Sequence, residues 1–197
     1  MLTAKGVDVN REAGMSRRSF LALLGGAAAL SACGFQLRGQ QDYAFKRLAI
    51  TGGTPQMVAR IERMVQGGSD TVIVKPFEKP EATLNLSEGS AFRTLSLNAQ
   101  GAIQEYELVF SLNYSLLGAD GTMLIPPSVI ALNRSMTYSD QYTLAKAQES
   151  TLLYNDMRND AVDQLTRRLA TVRSLHPAPG EQTPAVSPRA PLPVPPL

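Results

Sequence analysis

The periodicity of the chain predicts an α+β fold, a small mixed β-sheet packed with two α-helices. Three observations carry this. A strand, a helix and a second strand follow one another over residues 45–74; apolar and polar residues then alternate through three longer stretches; and from residue 139 to 173 the spacing turns helical. In Phe45-Lys46-Arg47-Leu48-Ala49-Ile50-Thr51, Leu48 and Ile50 share one face of a short strand. Thr54-Pro55 sets a capping hydroxyl before a proline at the first helical position, Val58, Ile61 and Val65 recur at helical spacing, and Gly67-Gly68 closes the run. Thr71-Val72-Ile73-Val74 is the next strand, and a right-handed crossover would leave it parallel to the first.

Ala82, Leu84 and Leu86 alternate with Glu81, Thr83, Asn85 and Ser87, which predicts a strand with one buried face. Glu88-Gly89-Ser90 interrupts the alternation, and apolar positions resume on the other parity at Leu95 and Leu97, as a bulge at the interruption would produce. The strongest pattern sets Tyr106, Leu108, Phe110, Leu112, Tyr114 and Leu116 against Glu105, Glu107, Ser111, Asn113 and Ser115, a long strand. Gly118-Ala119-Asp120-Gly121 supplies turn chemistry, and Ile130, Leu132, Met136 and Tyr138 return as the second arm of a hairpin. Pro126-Pro127 cannot donate ladder hydrogen bonds, so this arm is an edge there or begins after them. Leu153, Met157, Ala161, Leu165, Leu169 and Val172 then form one helical stripe that should pack on the sheet, with Arg158, Asp160, Asp163 and Arg167 off it. Residues 176–197 hold eight prolines and the sole histidine, His176, and are expected to form a disordered Pro-rich tail.

Ahead of this domain, residues 16–39 join an export signal to a lipid attachment site. Arg17 and Arg18 precede an eleven-residue apolar run that ends in Leu30-Ser31-Ala32-Cys33, the order of a secretory signal peptide. The run falls short of the roughly 20 residues needed to cross a hydrocarbon core, and residues 1–32 are expected to be cleaved. Leu30-Ser31-Ala32-Cys33 resembles the lipobox of bacterial lipoproteins, which implies that the Cys33 thiol receives diacylglycerol and that Cys33 becomes the acylated first residue. The bland alternative, a buried cysteine ending a core helix, is opposed by Gly25-Gly26 within the run and Gly34 after it. Two or more acyl chains anchor a protein stably. Resemblance to lipoprotein sorting rules implies the outer membrane, because Gly34 is not acidic. Ser16-Arg17-Arg18-Ser19-Phe20-Leu21 also resembles a twin-arginine export motif; a general secretory signal, with Met1 or Met15 as its start, is the alternative, and either route reaches the periplasmic face.

Removing residues 1–32 leaves enough chain for one domain and its tails. The net charge of +2 resides in the segment to be removed, so the mature part is neutral, and with no basic block and no Trp it gives no reason to expect nucleic-acid binding. Catalysis is equally ill supplied. Cys33 is the only cysteine, which excludes an intramolecular disulfide, and His176 stands at the root of the tail. Neither a zinc site nor a Cys-His or Ser-His pair can be assembled. Glu105 and Glu107, about 7 Å apart on one strand face, could form a carboxylate pair, but such a face is ordinarily solvated. No enzyme, metal or cofactor is expected beyond the covalent lipid on Cys33.

Cys33-Gly34-Phe35-Gln36-Leu37-Arg38-Gly39 resembles the mature start of the LPS-assembly lipoprotein LptE family, and Gly101-Ala102-Ile103-Gln104-Glu105-Tyr106 resembles a second segment of it. Pro126-Pro127, Arg134, Leu144-Ala145-Lys146 and Leu165-Thr166-Arg167-Arg168-Leu169 follow in the family's order, so the likeness spans about residues 33–173, within a domain expected over residues 33–175. It implies a two-layer sandwich of a mixed sheet and two helices, seated in the outer-membrane barrel LptD and contacting lipopolysaccharide in transit. The family's lipopolysaccharide contact at the start of the last helix falls on Lys146. A second basic contact falls on Ala99, for which Arg93 on the same ribbon could substitute. Arg134 shares the parity of Ile130, Leu132, Met136 and Tyr138, so its charge must be paired, face a partner or ligand, or snorkel from the sheet margin. The competing reading is an auxiliary lipoprotein of a periplasmic ABC-type lipid transport system.

Overall fold

The structure, a computed structural model, describes residues 41–178 and 183–187. The export signal, Cys33 and Gly34 lie outside the described residues. The elements are β1 (Arg47–Gly52), α1 (Pro55–Gly68), β2 (Val72–Val74), β3 (Ala82–Leu97), β4 (Ile103–Gly118), β5 (Met123–Thr137), a 3-10 turn (Asp140–Tyr142) and α2 (Thr143–Leu169). The five strands lie in the order β2-β1-β3-β4-β5, with β1 parallel to both neighbours and the β3-β4 and β4-β5 pairs antiparallel. The expected α+β fold with a mixed sheet and two helices is the observed one.

Local chemistry sets the base of the sheet. The Thr54 hydroxyl accepts from the Met57 N–H at 3.4 Å, Pro55 opens α1, and Met57, Ile61 and Val65 are its fully buried stripe. Met57 takes the inward position expected of Val58, which is half-buried. β1 lies beside β2, with Arg47 opposite Val72, and meets β3 from Leu48 opposite Ala82 to Gly52 opposite Leu86. Gly52 has φ +75°, and a Cβ there would sit 2.1 Å from the Leu86 carbonyl oxygen, so only glycine fits where β1 ends.

β3 and β4 are 16 residues each, about 50 Å long. β1 pairs with only the first third of β3, with β2 on the far side of β1, so the sheet is five-stranded at its base and a three-stranded ribbon beyond Leu86. The bulge expected at Glu88-Gly89-Ser90 is not there: pairing runs through Glu88 opposite Leu112, Gly89 opposite Ser111 and Ser90 opposite Phe110, and the register shifts later, between Thr94 and Leu97. Glu88 keeps the inward parity of Leu84 and Leu86, and its charge only resembled a change of phase. Gly89 faces Ser111, whose hydroxyl would have to rotate away from a Cβ placed there at 2.7 Å. Pro126-Pro127 behaves as expected of an edge: β5 is the outer strand, and its pairing slips from Tyr114 opposite Ser128 to Leu116 opposite Ile125.

Both helices contribute to one core on one face of the sheet. Leu84, Leu108, Phe110, Leu112 and Leu116 of the strands meet Ile61 of α1 and Met157, Ala161, Leu165 and Leu169 of α2. All the buried residues of the 27-residue α2 lie in its second half, from Met157 to Leu169. The charged residues off its stripe act as staples: Asp163 bonds Arg60 of α1 at 3.0 Å, Asp160 bonds Arg134 at 2.9 Å, and Arg158 bonds Glu88 at 2.9 Å. The Pro-rich segment expected to run free touches the domain over residues 183–187. Its few aliphatic side chains build no core, yet main-chain contact with a strand edge needs none: Val129 N–H donates to the Val186 oxygen at 2.8 Å.

Candidate functional site

The three candidate basic residues stand at three separate places on the ribbon. Lys146 lies in the first turn of α2, where the helix dipole disfavours a cation. Its Nζ donates to Glu149 Oε2 at 2.8 Å and to Thr137 Oγ1 at 3.1 Å, which ties the helix start to the end of β5. The side chain is only 18% exposed, so it is not a freely solvated helix lysine. Arg134 lies opposite the buried Leu108 and so on the helix-bearing face, at the β5 margin. It reaches Asp160 Oδ2 at 2.9 Å and donates to the carbonyl of Asn133 at 3.0 Å, both pairing and snorkelling as its parity required. Arg93 points to the opposite face, where it is 70% exposed and 3.7 Å from Glu107.

Glu107 also accepts from Asn133 Nδ2 at 2.6 Å, so the strand carboxylate is a cross-strand structural partner rather than half of a catalytic pair. Among the described residues, no group of three or more His, Cys, Asp or Glu could hold a metal ion. None of the described helices is long and apolar enough to cross a membrane.

The boundary between base and ribbon is a half-buried ionic knot. Glu88 accepts from the Thr54 N–H at 2.8 Å through Oε1 and from Arg158 Nε at 2.9 Å through Oε2, while the Arg158 guanidinium lies over the Phe110 ring. Burial pushes the Glu88 carboxyl up, but the Thr54 hydrogen bonds and the Arg158 charge together outweigh it and hold the group below the ordinary carboxylate range.

Beyond the knot the cover thins. Phe92 meets Tyr106 and Tyr154 edge-on at 5.8 and 5.7 Å, Tyr106 meets Tyr138 at 5.1 Å, and the Tyr154 hydroxyl donates to the Ala91 carbonyl, which fastens α2 to β3. Burial raises the Tyr154 pKa. Past this aromatic latch, large apolar side chains face solvent: Phe92, Leu95, Leu97, Tyr142, Leu144 and Leu152 are all at least half exposed. Six of the ten large apolar residues exposed among the described ones are therefore on this ribbon, the 3-10 turn and the first half of α2. Sequence reasoning missed this surface; the change of parity at Leu95 and Leu97 was its one legible trace. What the arrangement offers is apolar surface with cations near it, suited to an amphiphile or a protein partner and lacking a nucleophile or base.

A model of the LptE lipopolysaccharide-assembly family matches residues 45–169, from the strand before α1 to the end of α2. The chain is 30% identical to the LPS-assembly lipoprotein LptE of Photorhabdus laumondii over 80% of its own length and 89% of the relative's. It is 29% identical to the protein of that name from Yersinia enterocolitica, covering 81% and 79%. Among solved structures, lipoprotein B of Nitrosomonas europaea matches with a TM-score of 0.59 and 34% identity over 70% of this chain and 91% of that one. Rare lipoprotein B of Shewanella oneidensis shares the fold, with a TM-score of 0.53 and 23% identity over 63% and 93%.

Proposed function

The chain belongs to the LptE lipopolysaccharide-assembly family, and on that premise we propose that it is held by lipid on Cys33 to the periplasmic side of the outer membrane, seated in the LptD barrel, binding lipopolysaccharide in transit. At the coarser level it is a non-enzymatic, membrane-associated lipoprotein of lipopolysaccharide assembly. Residues 1–32 are the cleaved signal.

The single observation that supports the finer reading is the uncovered distal half: a free soluble domain rarely leaves several large apolar side chains so exposed unless a partner or lipid covers them. Lys146, two residues from the exposed Leu144, is the leading lipopolysaccharide contact, a compact cation suited to phosphate. Glu149 and Thr137 hold it in place without neutralising every donor. Arg93, the most exposed of the three, is the second contact, and Arg134 the third, reached by exchange of its Asp160 partner.

The test is binding of purified lipopolysaccharide by the mature lipoprotein and by its Lys146→Gln and Arg93→Gln variants at low and high salt. Loss of binding that is steepest at low salt, with LptD still co-purifying, supports the reading. Wild-type binding by the double variant overturns the site. Absence of LptD from detergent-purified wild type overturns the assembly.

A further inference from the structure

β5 is the long open edge of the sheet, and its outward-facing groups can be identified. Tyr138 N–H donates to Gln104 of the β4 arm, and the β4-β5 register is unbroken from Thr137 back to Ser128, so even-numbered positions face β4 and odd-numbered ones face outward. Two contacts confirm that parity. Val129 N–H donates outward to the Val186 oxygen at 2.8 Å, and the Arg134 guanidinium folds over the edge to the Asn133 carbonyl at 3.0 Å.

The segment 183–187 is held there at three points. Besides the Val129 bond, Val186 N–H donates to Ser128 Oγ at 3.1 Å, and that hydroxyl is buried and itself donates to the Pro126 carbonyl at 2.8 Å. Arg168 of α2 donates to the Pro184 carbonyl. Val186 and Ser187 line one side of a groove that continues along Ala131 and Asn133. The edge is thus blunted in series: by the Pro126-Pro127 slip, by this segment over Val129, and by Arg134 over Asn133. Pro184 suits such a cover, because its carbonyl still accepts from Arg168 while its nitrogen has no hydrogen with which to extend a ladder.

We propose that residues 183–187 are a cis-acting guard of the β5 edge, and that displacing them opens a strand-addition site at Val129 and Ala131 through which a second copy of this chain pairs. An antiparallel β5-β5 contact is self-complementary, since the same outward positions serve both partners.

The experiment compares the full mature lipoprotein in mild detergent with a Val186→Pro variant, which loses the N–H bonded to Ser128 Oγ, and with a Val186→Pro, Arg168→Ala variant, by amide hydrogen exchange and by light scattering across a concentration series. The single variant leaves α2 untouched, so a folding defect from Arg168 cannot obscure the result. In wild type the Val129 amide should be protected; in both variants it should exchange at least tenfold faster while the β4-facing amides of Ile130 and Leu132 hold. The variants should also dimerise with rising concentration. Adding Val129→Pro, which removes an outward donor and no β4 bond, should return them to monomers. Equal Val129 exchange in wild type and variants overturns the contact; variants that stay monomeric at every concentration, or dimers that survive Val129→Pro, overturn the guard.

Discussion

The base and the distal half of this molecule share three strands and one helix, yet only the base is closed. In the base, Phe45, Leu48, Ile61 and Leu165 have no exposed surface, whereas on the ribbon Phe92, Leu95 and Leu97 are at least half exposed. The difference comes from lengths. α1 has 14 residues and packs at the base against β2 and α2, so the remaining ribbon has only the first half of the 27-residue α2 to cover it. One helix cannot bury a three-stranded face about 12 Å wide together with its own apolar residues. The same pattern of alternating residues therefore yields a core at one end and an exposed apolar surface at the other.

The sharpest way to break this contrast is truncation in each half. Phe110→Ala in the base should cost about 4 kcal/mol, from lost burial and the cavity left behind. Leu152→Ala in the distal half should stay within about 0.5 kcal/mol, as for an ordinary surface change. Urea unfolding followed by circular dichroism reads both, and similar losses would show the two halves to be one core.

Next in size is the knot between the halves. Glu88→Leu strands the guanidinium of Arg158, whose side chain is 20% exposed, and should cost about 3 kcal/mol, the low end for breaking a buried pair. Because the folded Glu88 pKa lies below its ordinary value of 4.5, its contribution is present above that value and is lost as pH falls through the lower, folded one. Glu88→Gln should therefore flatten the acid limb of a stability-against-pH curve. An unchanged limb would assign acid sensitivity elsewhere.

Lys146→Gln should destabilise by only about 0.5 kcal/mol, the worth of one helix ion pair, while weakening lipopolysaccharide binding. Lys146→Glu is the poorer probe, because it sets a second carboxylate beside Glu149. Smallest in stability is Leu97→Ser, expected to leave the urea midpoint unchanged and yet reduce co-purification with LptD. Full retention of the barrel would leave that end of the ribbon without a partner.

Much of the base was legible because its signals are local: the Thr54 cap, the Pro55 start, and the stripe from Met157 to Leu169 each lie within a few turns. The misplaced bulge shows where local reading fails. Glu88 looked like an interruption because its partner, Arg158, stands 70 residues away. Lys146 gave no hint of Thr137, nor Arg134 of Asp160, for the same reason. The distal surface was illegible in a further sense. Leu144 and Leu152 are ordinary helix formers, and whether they are covered depends on the reach of α1, not on their own neighbours.

The dependence of the base on the end of α2 also fixes when this chain can fold. Asp163 reaches Arg60 across 103 residues, and Met157, Leu165 and Leu169 fill the space above β1 and α1. A chain made N-terminus first has no complete hydrophobic interior until its last helix is available. Closure is therefore a terminal event, and a polypeptide stalled before Leu169 leaves apolar strand residues, such as Leu48 and Leu84, open to solvent.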